Sequence, residues 1–187
     1  MSKFTVLVGR SASGKDAILK KLASDYNYIP LISCTTRPKR DGEVDNVTYY
    51  FISDYKFKSM IKDNKLIEYR SYNTLVSGNK ATWYYGLPKV EVNINNPNYV
   101  VILDLKGAKS FINYYGKDIC EIIYVECGAK TRTERAKKRG GFDTQEWNRR
   151  LKKDNIDFNI LNRGIVNKTI DNENRNLDEV VKEIVNG

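Results

Sequence analysis

Residues 4–16 read FTVLVGRSASGKD, an apolar run followed by a glycine-containing turn and the start of a helical pattern. The run Phe4–Val8 is too short for a buried helix and rich in β-branched residues, so it predicts a buried strand. Gly9 and Gly14 bracket the turn, and Lys15 follows the second glycine directly. The stretch therefore predicts a strand, a tight loop and a helix N-terminus, in that order.

The spacing of these two glycines and the lysine matches a phosphate-binding P-loop. Glycine permits backbone angles closed to other residues, so successive N–H groups can point at phosphate oxygens, and the helix N-terminus adds partial positive charge. We expect the loop to bind ATP, with Lys15 reaching the β- and γ-phosphates. The expected ATP-binding residues are Gly9, Ser11, Ala12, Ser13, Gly14, Lys15 and Asp16.

The last position of this motif departs from the usual pattern. Ser or Thr is expected there to bind Mg²⁺, whereas this chain has Asp16. A carboxylate is also a hard oxygen ligand, so Asp16 is predicted to bind Mg²⁺ directly or through water. The structural alternative is an acidic residue that complements the positive end of the helix dipole.

Most of the remaining chain alternates short apolar runs with helical patterns. The further strand candidates are Tyr99–Leu103, Ile119–Val125 and Ile165–Ile170. The helix candidates are Asp16–Asp25, Gly107–Tyr115, Lys130–Lys138, Thr144–Leu161 and Leu177–Val185. This alternation predicts an α/β fold with a parallel sheet that helices cover on both faces.

Residues 34–97 break the alternation. A charged, turn-forming segment is followed by the strand-like VTYYFI, a short helix at Asp54–Lys62, and the strand candidates LIEYRSY and ATWYYG. Strands in such close succession favour antiparallel pairing. The sequence therefore predicts a small lobe inserted into a core formed by residues 1–33 and 98–187.

Composition narrows the chemistry. The 187 residues carry 32 Lys and Arg against 23 Asp and Glu, a formal charge of +9 that suits phosphorylated molecules or nucleic acid. The absence of histidine excludes Ser-His-Asp triads, histidine metal sites and histidine general bases. Phosphoryl transfer remains, because positioning and charge stabilisation do most of its work. Cysteines without metal-ligand spacing and no membrane-spanning run predict a cytoplasmic protein with reduced thiols and no membrane partner.

The segment ISCTTRPKRDGEVDNVTYYF, residues 32–51, places Arg37, Arg40 and Tyr49 around a turn that leads into a strand. A guanidinium group pairs two phosphate oxygens at once, which an ammonium group does not. These residues therefore form a candidate clamp for a terminal monophosphate. A solvated basic loop is the alternative.

TTRPKRDGEVDNVTYYF, together with LIEY, WYYG and the P-loop, closely resembles the guanylate kinase family over nearly the whole chain. The resemblance implies a single domain of residues 1–187. It would combine a three-layer P-loop NTPase core with a parallel sheet, an inserted mixed α/β lobe that binds a nucleoside monophosphate, and a helical lid at about residues 139–152. The implied reaction transfers the γ-phosphoryl group of ATP, with Mg²⁺ as cofactor, to GMP or dGMP. Both a monomer and a homodimer remain open.

The resemblance also assigns residues to the acceptor site. The implied monophosphate-binding residues are Ser33, Arg37, Arg40, Tyr49, Glu68, Tyr85 and Asp104. The Glu68 carboxylate can accept hydrogen bonds from guanine N1–H and the 2-amino group together, and Asp104 would also bind Mg²⁺ through water. Two departures concern the base: Leu87 replaces a small hydroxyl residue common in the family, and LDLKG lacks a second acid after Asp104.

The charged stretch after Lys130 supplies the implied lid. Arg135 and Arg139 lie four residues apart on one helix face, and Arg150 follows eleven residues later. In the family, arginines at this spacing stabilise charge on the transferring phosphoryl group, so these three and Lys15 are the predicted catalytic residues. Gly140-Gly141 fits a hinge or a helix C-cap.

Three alternatives stay open at this point. The Gly-Lys-Asp ending of the P-loop also occurs in enzymes resembling ribose bisphosphate phosphokinases. A non-catalytic guanylate-kinase-like module that binds proteins is a second alternative, although such modules typically lose the P-loop lysine and the lid arginines. Nucleic-acid binding is supported by net charge alone, with no recognised motif, and no nucleic-acid partner is predicted.

Overall fold

A computed structural model of the chain describes residues 4–76, 79–93, 98–139, 142–159 and 164–187. Backbone contacts divide the chain into two compact units. The first, here called the core unit, comprises Met1–Pro30 with Ile94–Gly187, and the second, the lobe unit, comprises Leu31–Asn93. Each unit contains its own β-sheet.

The elements follow one another in an order close to the predicted one. The strands are β1 (Phe4–Val8), β2 (Ile29–Pro30), β3 (Cys34–Thr35), β4 (Tyr50–Phe51), β5 (Leu66–Val76), β6 (Asn79–Pro88), β7 (Tyr99–Ile102), β8 (Cys120–Glu126) and β9 (Lys168–Asp171). The helices are α1 (Lys15–Tyr26), α2 (Asp54–Lys62), α3 (Leu105–Tyr115), α4 (Ala129–Lys138), α5 (Thr144–Asp157) and α6 (Leu177–Asn186). In the described part of the chain, no helix combines the length and apolar character needed to cross a bilayer.

The core unit is built on a five-stranded sheet in the order β2-β7-β1-β8-β9, and every pairing in it is parallel. Helices α1 and α6 bury one face, where Leu7, Ile18 and Val181 belong to a single apolar cluster. On the other face the ring of Phe4 meets Phe111 of α3 edge to face. The predicted α/β class with a covered parallel sheet is therefore confirmed.

The lobe unit has a four-stranded sheet in the order β4-β3-β6-β5. Strand β6 pairs antiparallel with β3 and β5, as expected, but β3 and β4 pair in parallel, so the sheet is mixed. Helix α2 places Phe57 against Cys34 and Leu66 in a small apolar core. Of the predicted strand VTYYFI only Tyr50–Phe51 is a strand, because Asn46 has a positive φ of 63° and its N–H bonds to the carbonyl of Tyr49 within a turn.

Two boundaries in the core unit differ from prediction. Strand β9 begins three residues later than expected because its ladder with β8 starts at the pair Ile123 and Lys168. Just before it, Asn167 bonds Ile122 through both its backbone N–H and its side-chain oxygen. Helix α5 ends at Asp157, where Phe158 is the C-cap residue, rather than continuing to the predicted end, which lies outside the described residues.

A test of the lobe packing is the variant Gly86→Ala. A Cβ at Gly86 would lie 2.9 Å from the backbone oxygen of Glu68, 3.0 Å from the ring of Phe57 and 3.1 Å from Cβ of Tyr69. Such overpacking costs roughly 1–3 kcal/mol, so a lower unfolding midpoint in urea is expected. Gly164→Ala is the matched control, since no atom lies within 4 Å of its new Cβ. Equal midpoints for the two variants would contradict this account of the packing.

Candidate nucleotide-binding sites

The loop between β1 and α1 has a backbone that its glycines make possible. The φ angles of Gly9, Ala12 and Gly14 are all positive, at 155°, 59° and 102°. A Cβ at Gly9 would lie 2.5 Å from the backbone oxygen of Val125, and one at Gly14 would lie 2.2 Å from Nδ2 of Asn172. Both glycines are therefore required by close contacts as well as by backbone angles.

Several amides of this loop are available to a ligand. The amide of Ser13 bonds the carbonyl of Arg10 at 3.2 Å, and the amide of Ser11 bonds a carboxylate at 2.8 Å. Within the described ranges no acceptor contacts the remaining amides from Ala12 to Asp16. These amides lie at the N-terminus of α1, where the helix dipole favours an anion.

Lys15 is the first residue of α1, and its side chain reaches back into the loop. Its Nζ donates to the carbonyls of Gly9 and Arg10, at 2.7 and 2.9 Å, and lies 3.4 Å from Oγ of Ser13. Burial lowers the pKa of Lys15, and the nearby carboxylate of Asp16 opposes that shift. The ammonium group is thus held by carbonyl oxygens at the centre of the loop. Its predicted contact with the β- and γ-phosphates stays a prediction.

The carbonyl of Ser13 is held from outside the loop. Nδ2 of Asn172 donates to it at 2.8 Å, and Nη1 of Arg135 at 3.3 Å. Nη2 of Arg135 also donates to the carbonyl of Asn172 at 2.9 Å, which joins the two side chains to the same point. Sequence reasoning missed Asn172, although a polar residue directly after a parallel strand is a usable signal.

The neighbouring residue Ser11 is held by a charged pair that sequence reasoning also missed. The carboxylate of Asp154 in α5 accepts a hydrogen bond from the Ser11 amide. Arg132 of α4 donates a hydrogen bond to the Ser11 carbonyl at 3.3 Å. Nη1 of Arg132 lies 3.3 Å from Oδ2 of Asp154, and both side chains are largely buried. Each belongs to a charge-rich helix in which neither stands out by spacing.

The three predicted lid arginines have different partners. Nη2 of Arg139 lies 3.7 Å from Oδ2 of Asp16, and both side chains are half exposed. Arg135 bonds the loop as described, whereas Nε of Arg150 donates to Glu146 at 2.8 Å within α5. The structure therefore brings Arg135 and Arg139 to the loop and pairs Arg150 elsewhere. Their catalytic role stays a prediction, and the proposed Gly140-Gly141 hinge lies outside the described residues.

Glu146 explains why Arg150 is held within α5. It also accepts two hydrogen bonds from Arg149, at 2.7 and 2.9 Å. Burial opposes the charge of Glu146, but the hydrogen bonds from Arg149 and Arg150 outweigh burial and lower its pKa to about 2. The carboxylate is therefore ionised at neutral pH and balances both arginines.

The predicted Mg²⁺ ligands are two separate carboxylates. Asp104 follows β7 and caps α3, with Oδ1 accepting the amide of Gly107 at 2.6 Å. Among the described residues no group of three or more acidic, cysteine or histidine side chains could hold a metal alone. Mg²⁺ commonly keeps several waters and binds through one or two carboxylates plus substrate phosphates. The role of Asp16 and Asp104 in binding Mg²⁺ stays a prediction.

The lobe unit contains a buried guanidinium group. The side chain of Arg37 is 3% exposed. Its Nε donates to the hydroxyl of Tyr85 at 3.1 Å, and Nη2 donates to Glu43 at 2.6 Å. The rings of Tyr49 and Tyr85 meet edge to face at 6.0 Å, and the guanidinium carbon lies 5.8 Å from the centre of Tyr49. Three predicted monophosphate-binding residues, Arg37, Tyr49 and Tyr85, are therefore in mutual contact.

Glu43 organises this cluster and was missed from the sequence. Its second carboxylate oxygen accepts the backbone amide of Arg40 at 2.8 Å, so it closes the turn that contains both clamp arginines. Burial opposes the positive charge of Arg37, but the hydrogen bond to Glu43 outweighs it and raises the pKa of Arg37. The signal in the sequence was an acid six residues after Arg37 within one turn-forming segment.

Of the two predicted base-reading residues, Glu68 lies on the sheet of the lobe unit and Ser33 lies directly before β3. Glu68 of β5 is buried, pairs in register with Leu87 of β6, and lies 3.8 Å from Nη1 of Arg70. Arg70 pairs with Tyr85, and alternate residues of a strand share a face. Glu68, Leu87 and Tyr85 therefore share one face of the sheet. Ser33 instead accepts the Tyr50 amide through its backbone carbonyl at 2.9 Å.

Comparisons with known proteins agree with this geometry. The family model described as Guanylate kinase matches residues 1–184. A guanylate kinase from Prochlorococcus marinus subsp. pastoris is 30% identical over 189 residues, covering 99% of this chain and 96% of the relative. One from Rickettsia prowazekii is 42% identical over 91 residues, covering 48% of this chain and 42% of the relative.

A solved structure supports the fold independently. The crystal structure of guanylate kinase from Anaplasma phagocytophilum matches with a TM-score of 0.68 at 21% identity, covering 99% of this chain and 83% of that one. At this identity the match shows the fold, and it confirms the predicted P-loop architecture. Because the family match spans nearly the whole chain and both units carry the motifs that prompted the resemblance, this chain belongs to the guanylate kinase family of phosphotransferases.

Proposed function

We propose that this chain transfers the γ-phosphoryl group of Mg²⁺-bound ATP to the phosphate of GMP or dGMP. The observation that carries the proposal is the shared sheet face of Glu68 and the Arg37–Tyr85 pair in the lobe unit. Glu68 and Arg70 are two residues apart on β5, so roughly 7 Å separates the backbone position of Glu68 from that of Arg70, which lies opposite Tyr85. A guanine base at Glu68 and a phosphate near Tyr85 would then lie along one face of the sheet.

In the core unit, the loop amides and the dipole of α1 would hold the triphosphate, with Lys15 near its β- and γ-phosphates. A bound Mg²⁺ would supply positive charge that offsets the negative charge developing on the phosphates. Asp16 and Asp104 are the residues that would hold it, directly or through water. Asp16 lies beside Arg139, which reduces the repulsion between this extra carboxylate and the phosphates.

The chemical step requires no general base. An oxygen of the acceptor phosphate forms a bond to the γ-phosphorus while the bond to the β,γ-bridging oxygen breaks, and ADP leaves with that oxygen. The acceptor phosphate is already anionic at neutral pH, which agrees with a chain that has no histidine. Arg135, Arg139 and Arg150 would stabilise the negative charge on the transferring group.

The acceptor assignment predicts a defined specificity. In an assay of ATP consumption we expect turnover with GMP and dGMP, and much less with AMP, CMP, UMP or dTMP, because only guanine offers two donors to Glu68. Ribose 1,5-bisphosphate serves as a non-nucleotide acceptor. Turnover confined to the sugar bisphosphate would overturn the acceptor assignment. No turnover with any acceptor would instead favour a binding module.

A further inference from the structure

Ser11 is held at every polar group that it possesses. Its amide donates to Oδ2 of Asp154 at 2.8 Å, and its hydroxyl lies 3.3 Å from Oδ1 of the same carboxylate. Its carbonyl accepts from Nη1 of Arg132 at 3.3 Å. The two charged side chains come from helices α5 and α4, more than 120 residues further along the chain.

Burial of the charged pair Arg132 and Asp154 has a free-energy cost. The Arg132 side chain is 3% exposed and the Asp154 side chain 11%. Burial raises the pKa of Asp154, although the hydrogen bond from the Ser11 amide and the charge of Lys15 act in the opposite direction. Burial also lowers the pKa of Arg132. A buried ion pair adds little or nothing to stability compared with an apolar pair of similar volume. Its presence is therefore better explained by the geometry that it imposes.

That geometry concerns the peptide planes on either side of Ser11. A trans peptide points its N–H and C=O in opposite directions. Because Arg132 holds the Ser11 carbonyl, the following amide of Ala12 points the other way, and no acceptor contacts it within the described ranges. Because Asp154 holds the Ser11 amide, the carbonyl of Arg10 in the same peptide plane points away from Asp154. There it accepts a hydrogen bond from Nζ of Lys15.

The conformation of Ala12 makes this support necessary. Ala12 has a φ of 59°, a left-handed value that a residue with a Cβ adopts at an energetic cost. Such a conformation persists when the surrounding contacts over-determine it. Asp154 and Arg132 supply those contacts by bonding Ser11 on one side of Ala12. Asn172 supplies them on the other side by bonding the carbonyl of Ser13.

We propose that Asp154 and Arg132 are positioning residues for ATP: together they aim the Ala12 amide at the bound phosphates. This inference rests on the proposed ATP site and adds two residues that never touch the nucleotide. It also connects the phosphate loop to α4 and α5, which carry two of the predicted lid arginines, Arg135 and Arg150.

The test uses the full chain and a double variant, Arg132→Met with Asp154→Leu. Replacing a buried ion pair by apolar residues of similar size is often neutral or stabilising, so this variant is expected to fold. We expect its Kd for Mg²⁺-ATP, measured by titration calorimetry, to rise about 10- to 100-fold, the scale of one charge-assisted hydrogen bond. The KM for the acceptor should change less than about threefold. Asp157→Asn, one turn along the same helix and paired with exposed Lys153, is the matched control.

The possible outcomes separate the two proposals. If the parent chain binds no ATP, the proposed function fails. If the parent binds ATP and the double variant binds it equally well, the positioning role is wrong. Equal losses in ATP and acceptor binding would indicate a general structural role and would also overturn it. If the double variant does not fold, Asp154→Asn is measured instead, with the same expected split between ATP and acceptor.

Discussion

Lys15→Ala is expected to lower kcat by at least about 10²- to 10³-fold, the range observed when one preorganised charge-stabilising donor is removed from an active site. The ammonium group of Lys15 is the cation at the centre of the loop, and it is already within hydrogen-bonding distance of the Gly9 and Arg10 carbonyls. Transfer of the γ-phosphoryl group would then proceed without the charge that is proposed to neutralise it.

Kinetics and folding are to be measured on the same preparation. Initial rates at saturating ATP and GMP give kcat, and circular dichroism with thermal unfolding checks that the loop change leaves the fold intact. Lys20→Ala, an exposed lysine on the same helix, is the matched control and should behave as the parent chain. A Lys15→Ala enzyme with undiminished kcat would remove the phosphate loop from the mechanism.

Arg37→Lys is expected to raise the KM for GMP about 10- to 100-fold while the KM for ATP stays nearly constant. The guanidinium group bonds Tyr85, Pro38 and Glu43 at once, and a lysine has a single nitrogen to replace all of these contacts. The loss of one charge-assisted hydrogen bond, roughly 1.5–3 kcal/mol, sets the magnitude.

The second prediction is tested by the change in the KM for GMP relative to the change in the KM for ATP. Lys39→Ala changes an exposed cation in the same turn and is expected to leave both KM values unchanged. Urea unfolding of each variant separates a weakened clamp from a destabilised lobe, because Arg37 also neutralises Glu43. Parallel increases in both KM values would show that Arg37 does not act on the acceptor alone.

The features predicted well from the sequence are those that neighbouring residues determine. Five consecutive buried residues, four of them apolar, form β1, and the glycines that follow permit the positive φ angles of the loop. Helix α2 begins and ends as predicted, since Ser53 accepts the amide of Lys56 as an N-cap. The strand predicted before α2 was too long, because the bonds of a local turn around Asn46 outweigh the β-propensity of VTYYFI.

The residues that sequence reasoning missed act across long separations. Asp154 contacts a residue 143 positions earlier, and Asn172 contacts one 159 positions earlier. Nothing in the local composition of a charge-rich helix distinguishes a buried aspartate from its solvated neighbours. Glu43 was missed for a different reason: it lies only six residues from Arg37, and the sequence does not show which acid of this turn-forming segment bonds the guanidinium group.

The phosphate loop has a consequence for nucleotide exchange. Arg132 of α4 and Asn172 after β9 donate to its carbonyls, and Asp154 of α5 accepts a hydrogen bond from its Ser11 amide, so contacts within the protein define its shape. Fixing one residue of a flexible backbone costs roughly 1–2 kcal/mol in entropy. Here that entropy is lost once, when the chain folds. In the proposed reaction, departure of ADP would therefore leave a preformed site that the next ATP could enter without reorganisation of the loop.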